Sequence, residues 1–469
     1  MSDSRNLLEQ IVDYAIALRY QDIPTEAVEL AKTIVFDSIG TGLGGYQREL
    51  GLKAVHYAES AMAGDDATLL GGGQRVSVEG AAFANGVMVK ILGMDDSHRS
   101  AGHIASQLVP AVLAVGEANN TSGEEMIVAI VAAYDFAVRV GGLVRPAQRE
   151  RGLDLKGTLG AISSALAVAR CARLDREAMI NCVALAADLA SGTEQYVYEG
   201  GPCDTKDLIA GFAARNAVFA LRLAQSGFYG PRGALDGEYG FFRAFGGRGS
   251  DHAPHGYEPE LFADLGRNFA ILGTGFKPHG GCRHTHQAID AVQAILGDGP
   301  LDISAIESIE LGTYGYATRP VFRVDPNPPS REVAGLSIRV STGVALQQGS
   351  AWPHDFSAWD DPEVRRLRNL IDVQVDSEIE ADYPRLNGCR LRVTLDTGEL
   401  RQAYLPNMKG EPEFRMTRDE MREKFAVLTR DLFAGGHVDE IYQRCMNLES
   451  LADIGDLLRI CAAREPVVA

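Results

Sequence analysis

The stretch SGEEMIVAIVAAYDFAVRV, residues 122–140, decides the class of fold. Ser122 and Glu125 have the spacing of a capping box, in which a hydroxyl and a carboxylate satisfy the free N–H groups of a helix start. The residues after them are apolar on nearly every face. Such a helix needs packing partners all round, so it belongs at the centre of a large helical body or at a subunit interface.

Working outward, helix follows helix. Leu7, Leu8, Ile11, Val12, Ala15 and Ile16 form a helical stripe. Pro24 and Thr25 introduce AVELAKTIVFDSIGTGL, and VSVEGAAFANGVMVKILG reads as a further helix. Downstream come GTLGAISSALAVARCAR, REAMINCVALAADLA and KDLIAGFAARNAVFALRLAQ. Their apolar faces are rich in Ala, Gly and Ser, which lets helix axes approach closely. Central, all-round apolar helices also suggest a homo-oligomer, with a dimer the commonest case.

The texture changes near residue 265. LFADLGRNFAILGTGF reads as a strand, and a Gly280-Gly281 loop leads from it to the helix THQAIDAVQAIL. SAIESIELGTYGYA alternates like a strand, and GCRLRVTLDTGELRQAYLP reads as a hairpin turning at Asp396-Thr397-Gly398. PEVRRLRNLID between them is helical in pattern. DPNPPS, 325–330, is a loop, because consecutive prolines forbid regular structure. RDEMREKFAVLTRDLF and VDEIYQRCMNLES return to helix. The expected fold is mainly α: a discontinuous helical domain, 1–266 and 407–469, with an α+β domain, 267–406, inserted into it.

The chain has 469 residues, 46% hydrophobic and 23% charged, with a formal net charge of -18. So acidic a surface argues against nucleic acid and anionic membrane as partners. The start lacks the basic segment and apolar core of a signal peptide, and no apolar run reaches about 18 residues, so no membrane-spanning segment is expected. Seven scattered cysteines suit free thiols in a reducing cytoplasm.

Four clusters carry chemistry. GMDDSHRSAGH, 93–103, places Asp95, Asp96, Ser97, His98, Arg99 and His103 on a loop between two helices. It suits a catalytic loop, and equally a solvated turn that caps helix ends. Lys206 stands in the first turn of a helix, against the dipole. A bound anion would explain it, and so would a snorkelling surface side chain. FKPHGGCRHTHQAIDA, 276–291, gathers Lys277, Cys282, Arg283, His284 and His286. C-x-H-x-H matches no closed zinc pattern, and Lys277 and Arg283 would crowd a cation, so no metal is expected. Lys, Arg and His at a helix start bind carboxylate or phosphate instead. In LGTYGYATRP, Tyr314 and Tyr316 fall on one face of a strand with Arg319 after them, suiting either proton donation or core packing. A cationic island in an acidic chain points to a small polyanionic substrate.

These motifs, in this order along nearly the whole chain, resemble the MmgE/PrpD family, which includes 2-methylcitrate dehydratase, cis-aconitate decarboxylase and iminodisuccinate epimerase. The resemblance implies a homodimer of subunits with a helical domain and an α+β lid, an active site between them, and neither metal nor organic cofactor. It carries over Asp96, Ser97, His103, Lys206, Lys277, Tyr316 and the Cys282–His286 signature. The chain departs from the pattern at Gly93, where an acidic residue is usual, and at His103-Ile104-Ala105, where H-P-S is usual. Arg151 stands where decarboxylase-like members have a histidine, which suggests an extra carboxylate contact and puts cis-aconitate decarboxylation in doubt. The expected chemistry is proton removal next to a carboxylate of a small di- or tricarboxylic acid. Dehydration is the leading outcome, with epimerisation and decarboxylation as alternatives. His103 or Lys277 would be the base, and Tyr316 or the other of that pair the acid. Asp96 would orient His98 or His103. Lys206, Arg283 and Arg319 would hold carboxylates, with Ser97, Arg151, His284 and His286 around them.

Overall fold

The computed structural model describes residues 6–197, 203–246, 259–319, 322, 328, 331–433 and 435–462. The fold is mainly α with a smaller α+β part. The helix expected from the opening stretch spans Gly123–Glu150. Ser122 caps it, its hydroxyl accepting the Glu125 N–H at 3.3 Å. The other half of the box is missing, because the Glu125 carboxylate turns to Arg170 at 3.1 Å. By length and composition this helix could cross a membrane, since Asp135 interrupts the apolar run without making the segment polar. Its apolar window is 78% buried within the protein, which makes it a core helix. Asp135 is satisfied inside, accepting the Tyr14 hydroxyl at 2.5 Å and the Ala270 N–H at 2.6 Å.

Small residues set the helix spacing. A Cβ added at Gly45 would lie 2.0 Å from the Met88 carbonyl oxygen, and one at Gly211 2.6 Å from that of Phe83. The Val78–Ile91 helix is therefore clamped between Thr25–Tyr46 and Thr205–Gln225, and Lys90 in its last turn has a fixed position.

The C-terminal segment returns to this body. In Arg418–Thr429, Lys424 is fully buried, 2.6 Å from the buried Asp37 carboxylate, and it donates to the Met94 carbonyl at 2.7 Å. Lys424→Met would strand Asp37, at an expected cost of about 3–5 kcal/mol. Burial already pushes the Asp37 carboxyl up, against the pull of Lys424. In the variant the folded state holds a proton that the unfolded state releases, so stability should fall as pH rises. Urea unfolding at pH 5 and pH 8 checks this, the deficit being larger at pH 8.

One hydrophobic core runs from Leu7 to Phe276 and resumes at Met421–Cys461, and a second runs from Ala288 to Leu395. The second backs a four-stranded sheet in the order Ile371–Val375, Ile306–Thr313, Cys389–Leu395, Leu400–Leu405. The first pair is parallel and the others antiparallel, and Gly398, at φ +81, turns the expected hairpin. Helices His286–Gly297 and Ile338–Gln348 share this core.

Several local readings need correction. The strand of SAIESIELGTYGYA stops at Thr313, where the Gly315 N–H turns to the Glu380 carboxylate at 2.6 Å. Tyr316 therefore sits in a 3-10 turn, Gly315–Thr318, and not beside Tyr314 on a strand. PEVRRLRNLID is helical only over Pro362–Leu370, and its tail becomes the edge strand Ile371–Val375. LFADLGRNFAILGTGF folds as turns, with 3-10 pieces at Pro259–Phe262 and Ala270–Gly273, and keeps two strand residues, Thr274–Gly275. Of DPNPPS, all but Pro328 lies outside the described residues.

Candidate active site

That two-residue strand pairs antiparallel with Ser97–His98, Ser97 opposite Gly275 and His98 opposite Thr274. The short ladder ties the GMDDSH loop to the segment that carries Lys277. Lys277 Nζ then donates to the Gly93 carbonyl at 2.6 Å. The loop is closed on itself as well, His98 and Gly102 exchanging both backbone hydrogen bonds at 2.7 Å. Asp96 anchors its far end. One carboxylate oxygen accepts the Ala105 N–H at 2.9 Å, at the start of helix Ala105–Ala118, and the other accepts the Tyr134 hydroxyl at 2.7 Å.

Asp95 is the buried electrostatic centre. Lys90 Nζ lies 2.9 and 3.0 Å from its two oxygens, His103 Nδ1 is at 3.3 Å and Lys277 Nζ at 3.9 Å. Burial alone would raise the Asp95 carboxyl, but its neighbours His103, Lys90 and Lys277 outweigh burial and hold the carboxyl well below the usual range. The other groups move to match. Burial lowers Lys277 to about 7, against the pull of Asp95 and with the push of Lys90. Asp96 is raised to about 7 by burial and by the Asp95 charge.

His103 has a defined tautomer. Its Nδ1 is 2.7 Å from the Asp96 carbonyl oxygen, which can only accept, so Nδ1 carries the hydrogen. Burial, reinforced by Lys277 and Lys90 and opposed by Asp95, keeps the ring well below its usual pKa and therefore neutral at pH 7. Nε2 is left with a free lone pair and no partner among the described residues.

His103 and Lys277 face a cavity of about 250 Å³. One wall holds Lys156, 2.7 Å from Asp154, whose carboxylate also accepts the Tyr196 hydroxyl at 2.7 Å. Burial opposes the charge on Lys156, yet Asp154 outweighs burial and holds its pKa up. Across the cavity, Arg149 and Arg319 stack on the Tyr316 ring at 4.6 and 4.5 Å. Arg145 is brought down to about 10 by burial and by Arg149. Arg283 lines the cavity but is ion-paired with the buried Glu411, which Arg99 also meets at 3.0 Å. His284 Nδ1 lies 2.8 Å from the Tyr314 hydroxyl, and burial and the neighbouring Arg283 keep that ring neutral too.

Thus His103, Lys277, Tyr316, Ser97, Lys206, Arg283, His284 and Arg319 line one space. Asp96 stands behind it and reaches His103 through its backbone carbonyl. His98, His286 and Arg151 do not line it. His98 Nδ1 accepts the Ser100 N–H at 3.1 Å, His286 is buried edge-on to His279, and Arg151 is exposed at the end of Gly123–Glu150. In RGLDLKGTLG, Asp154 and Lys156 reach the cavity in place of Arg151. Lys90, Arg145, Arg149, Glu194 and Tyr196 were also missed as site residues, and Asp95, named on the candidate loop, was given no role. A role for Asp95 could have been found, because a carboxylate beside Asp96 on the same loop is a natural partner for the lysines.

Ligand atoms of Asp95, Asp96 and His103 lie within 4.8 Å of one another. The group does not fit a metal ion. The Lys90 ammonium already covers both Asp95 oxygens, and both Asp96 oxygens and His103 Nδ1 are engaged.

The geometry gives a pH profile. With His103 as base and Lys277 as acid, kcat/KM needs neutral His103 and charged Lys277. It should therefore decline above about pH 7. Bound carboxylates favour the ammonium, so the kcat limb should lie higher. Lys277→Met should abolish that limb. Initial rates from pH 5 to 10 check both.

Two family descriptions match the chain: the MmgE/PrpD N-terminal domain over residues 9–252 and the MmgE/PrpD C-terminal domain over 279–448. Among its relatives, a cis-aconitate decarboxylase of Aspergillus terreus is 25% identical, covering 98% of this chain and 97% of the relative. A cis-aconitate decarboxylase-like protein of Aspergillus oryzae is 26% identical, covering 97% of each. The human cis-aconitate decarboxylase is 23% identical, covering 98% and 96%. With the two matches spanning most of its length, the chain belongs to the MmgE/PrpD family.

Proposed function

We propose that this protein is a lyase that acts on a small di- or tricarboxylic acid by removing a proton next to a carboxylate, with loss of water as the outcome. One observation carries this reading: a neutral His103, held by Nδ1 with Nε2 free, beside Lys277 in a cavity ringed by cations. A proton next to a carboxylate is weakly acidic, because its removal builds a second negative charge on that group. Arg145, Arg149, Arg319 and Lys206 supply fixed positive charge for the developing dianion. His103 Nε2 takes the proton, the electron pair forms the carbon–carbon double bond, and the β-hydroxyl leaves as water with the Lys277 proton. Tyr316, held between two guanidiniums, orients a carboxylate.

Two other outcomes of the same site have support. The named relatives favour release of carbon dioxide. Glu194 favours epimerisation of an amino or imino dicarboxylate. It lines the cavity with no ion pair among the described residues, and an unpaired carboxylate suits a protonated substrate nitrogen better than another carboxylate.

Proton NMR of a panel of hydroxy- and amino-polycarboxylates in D₂O, with carbon dioxide capture, separates the three. A vinyl signal without gas supports dehydration, gas supports decarboxylation, and inversion with deuterium entry supports epimerisation. No change in any acid would overturn the reading.

A further inference from the structure

A second cavity, of about 340 Å³, lies on the other side of Lys206 from the His103 site. Gly93, Lys206 and Gly281 line both spaces, so the partition is two glycine backbones and one lysine side chain. The partition is close-packed. Gly281 has φ +83, and a Cβ there would lie 2.7 Å from the Gly335 carbonyl oxygen.

The second cavity is lined by four cations, Arg48, Lys53, Lys206 and Arg331, and three carboxylates, Glu49, Asp204 and Asp207. Glu49 and Asp207 face lysines, and Asp207 keeps a buried Oδ1 with no hydrogen-bond partner among the described residues. Glu49 is 2.6 Å from Lys53, Asp207 is 3.9 Å from Lys206, and Asp204 acts on Lys53. Arg48 and Arg331 are left over. Arg331 donates to the Pro353 carbonyl at 2.6 Å and has no ion pair among the described residues. Arg48 has none either, and its buried Nε lacks any hydrogen-bond partner. Burial, with Arg331 and Arg430 nearby, lowers the Arg48 pKa and only Asp431 acts the other way. Two guanidiniums without an ion pair among the described residues line one cavity, in a chain of net charge -18.

We propose that this cavity is a second anion-binding site, distinct from the His103 cavity, that holds a small phosphate or carboxylate dianion between the Arg48 and Arg331 guanidiniums. Lys206 borders both sites, so a dianion there competes for its ammonium and weakens carboxylate binding next door.

The test is independent of the reaction catalysed. The intact protein is treated with phenylglyoxal, which modifies accessible guanidiniums, with and without inorganic phosphate, and each arginine is scored by peptide mass spectrometry. Phosphate is expected to slow labelling of Arg48 and Arg331 at least fivefold. In an R48Q/R331Q variant, calorimetric titration with phosphate should lose one of the binding events seen in the parent, with circular dichroism unchanged. Protection confined to Arg145, Arg149 and Arg319, or absent everywhere, overturns the proposal. So does phosphate binding that is unaltered in a folded R48Q/R331Q protein. Sodium succinate in place of phosphate distinguishes a carboxylate from a phosphate site.

Discussion

His103→Ala is expected to lower kcat by about 10²- to 10⁴-fold, the size of a positioned acid–base group. The effect should fall on kcat rather than KM, because His103 is neutral and, in the proposed reading, Arg145, Arg149, Arg319 and Lys206 would hold the carboxylates. The fold should survive. The ring makes one hydrogen bond, to the Asp96 carbonyl, while the backbone turn from 98 to 102 and the Asp96 cap on Ala105 hold the loop without it. His103→Gln is the sharper control, since its side-chain amide can still donate to Asp96 but offers no basic nitrogen. Equal losses in both variants would place the deficit in proton transfer. Steady-state kinetics on whichever acid the NMR panel selects gives the numbers.

Asp95→Asn should have a large effect on both stability and the pH profile. Among the described residues, Asp95 is the carboxylate ion-paired with buried Lys90, and it also faces Lys277. Removing one member of a buried pair leaves the other charge uncompensated, at about 3–5 kcal/mol. Burial already lowers the pKa of both lysines, and Asp95 is the main force opposing it. In the variant both pKa values fall further, so the folded state gives up protons that the unfolded state keeps. Stability should then rise with pH through the alkaline range. Urea unfolding at pH 6 and pH 9 should show the greater deficit at pH 6. The same change should move the alkaline limb of kcat/KM below pH 7, because Lys277 loses the charge that favours its ammonium. A variant as stable as the parent at pH 6 would show that Asp95 does not compensate Lys90.

The fold was legible where a period persists long enough to be read. The all-round apolar run after Ser122, the small-residue helix faces and the hairpin at Asp396-Thr397-Gly398 each show up in the sequence because repetition encodes them. Short elements carry no period. The two-residue ladder of Ser97–His98 with Thr274–Gly275 is invisible in sequence, yet it brings Lys277 to the Asp95 loop. Tyr316 was misplaced for the same reason: alternation through Thr313 gives no sign that Gly315 will turn toward Glu380. The site was half legible. Its loop residues and the lysine and histidines after Phe276 stand out by composition, whereas Lys90 and Lys156 lie within apolar helices, where a lysine ordinarily reads as a surface residue. Their burial depends on Asp95 and Asp154, and such a pair is recognisable only once both helices are placed. Arg151 shows the converse error. It fell on the exposed end of Gly123–Glu150, and the cavity receives Asp154 and Lys156 from the next helix start.

The central claim is that His103 Nε2 removes a proton next to a carboxylate in the cationic cavity. The most direct measurement compares the parent with His103→Gln under identical NMR conditions in D₂O, following the signal of that carbon-bound proton in the turned-over acid. The account predicts loss of the signal with the parent and loss at least about 10²-fold slower with the variant. Equal rates for parent and variant, or product formed with that carbon–hydrogen bond intact, would contradict it.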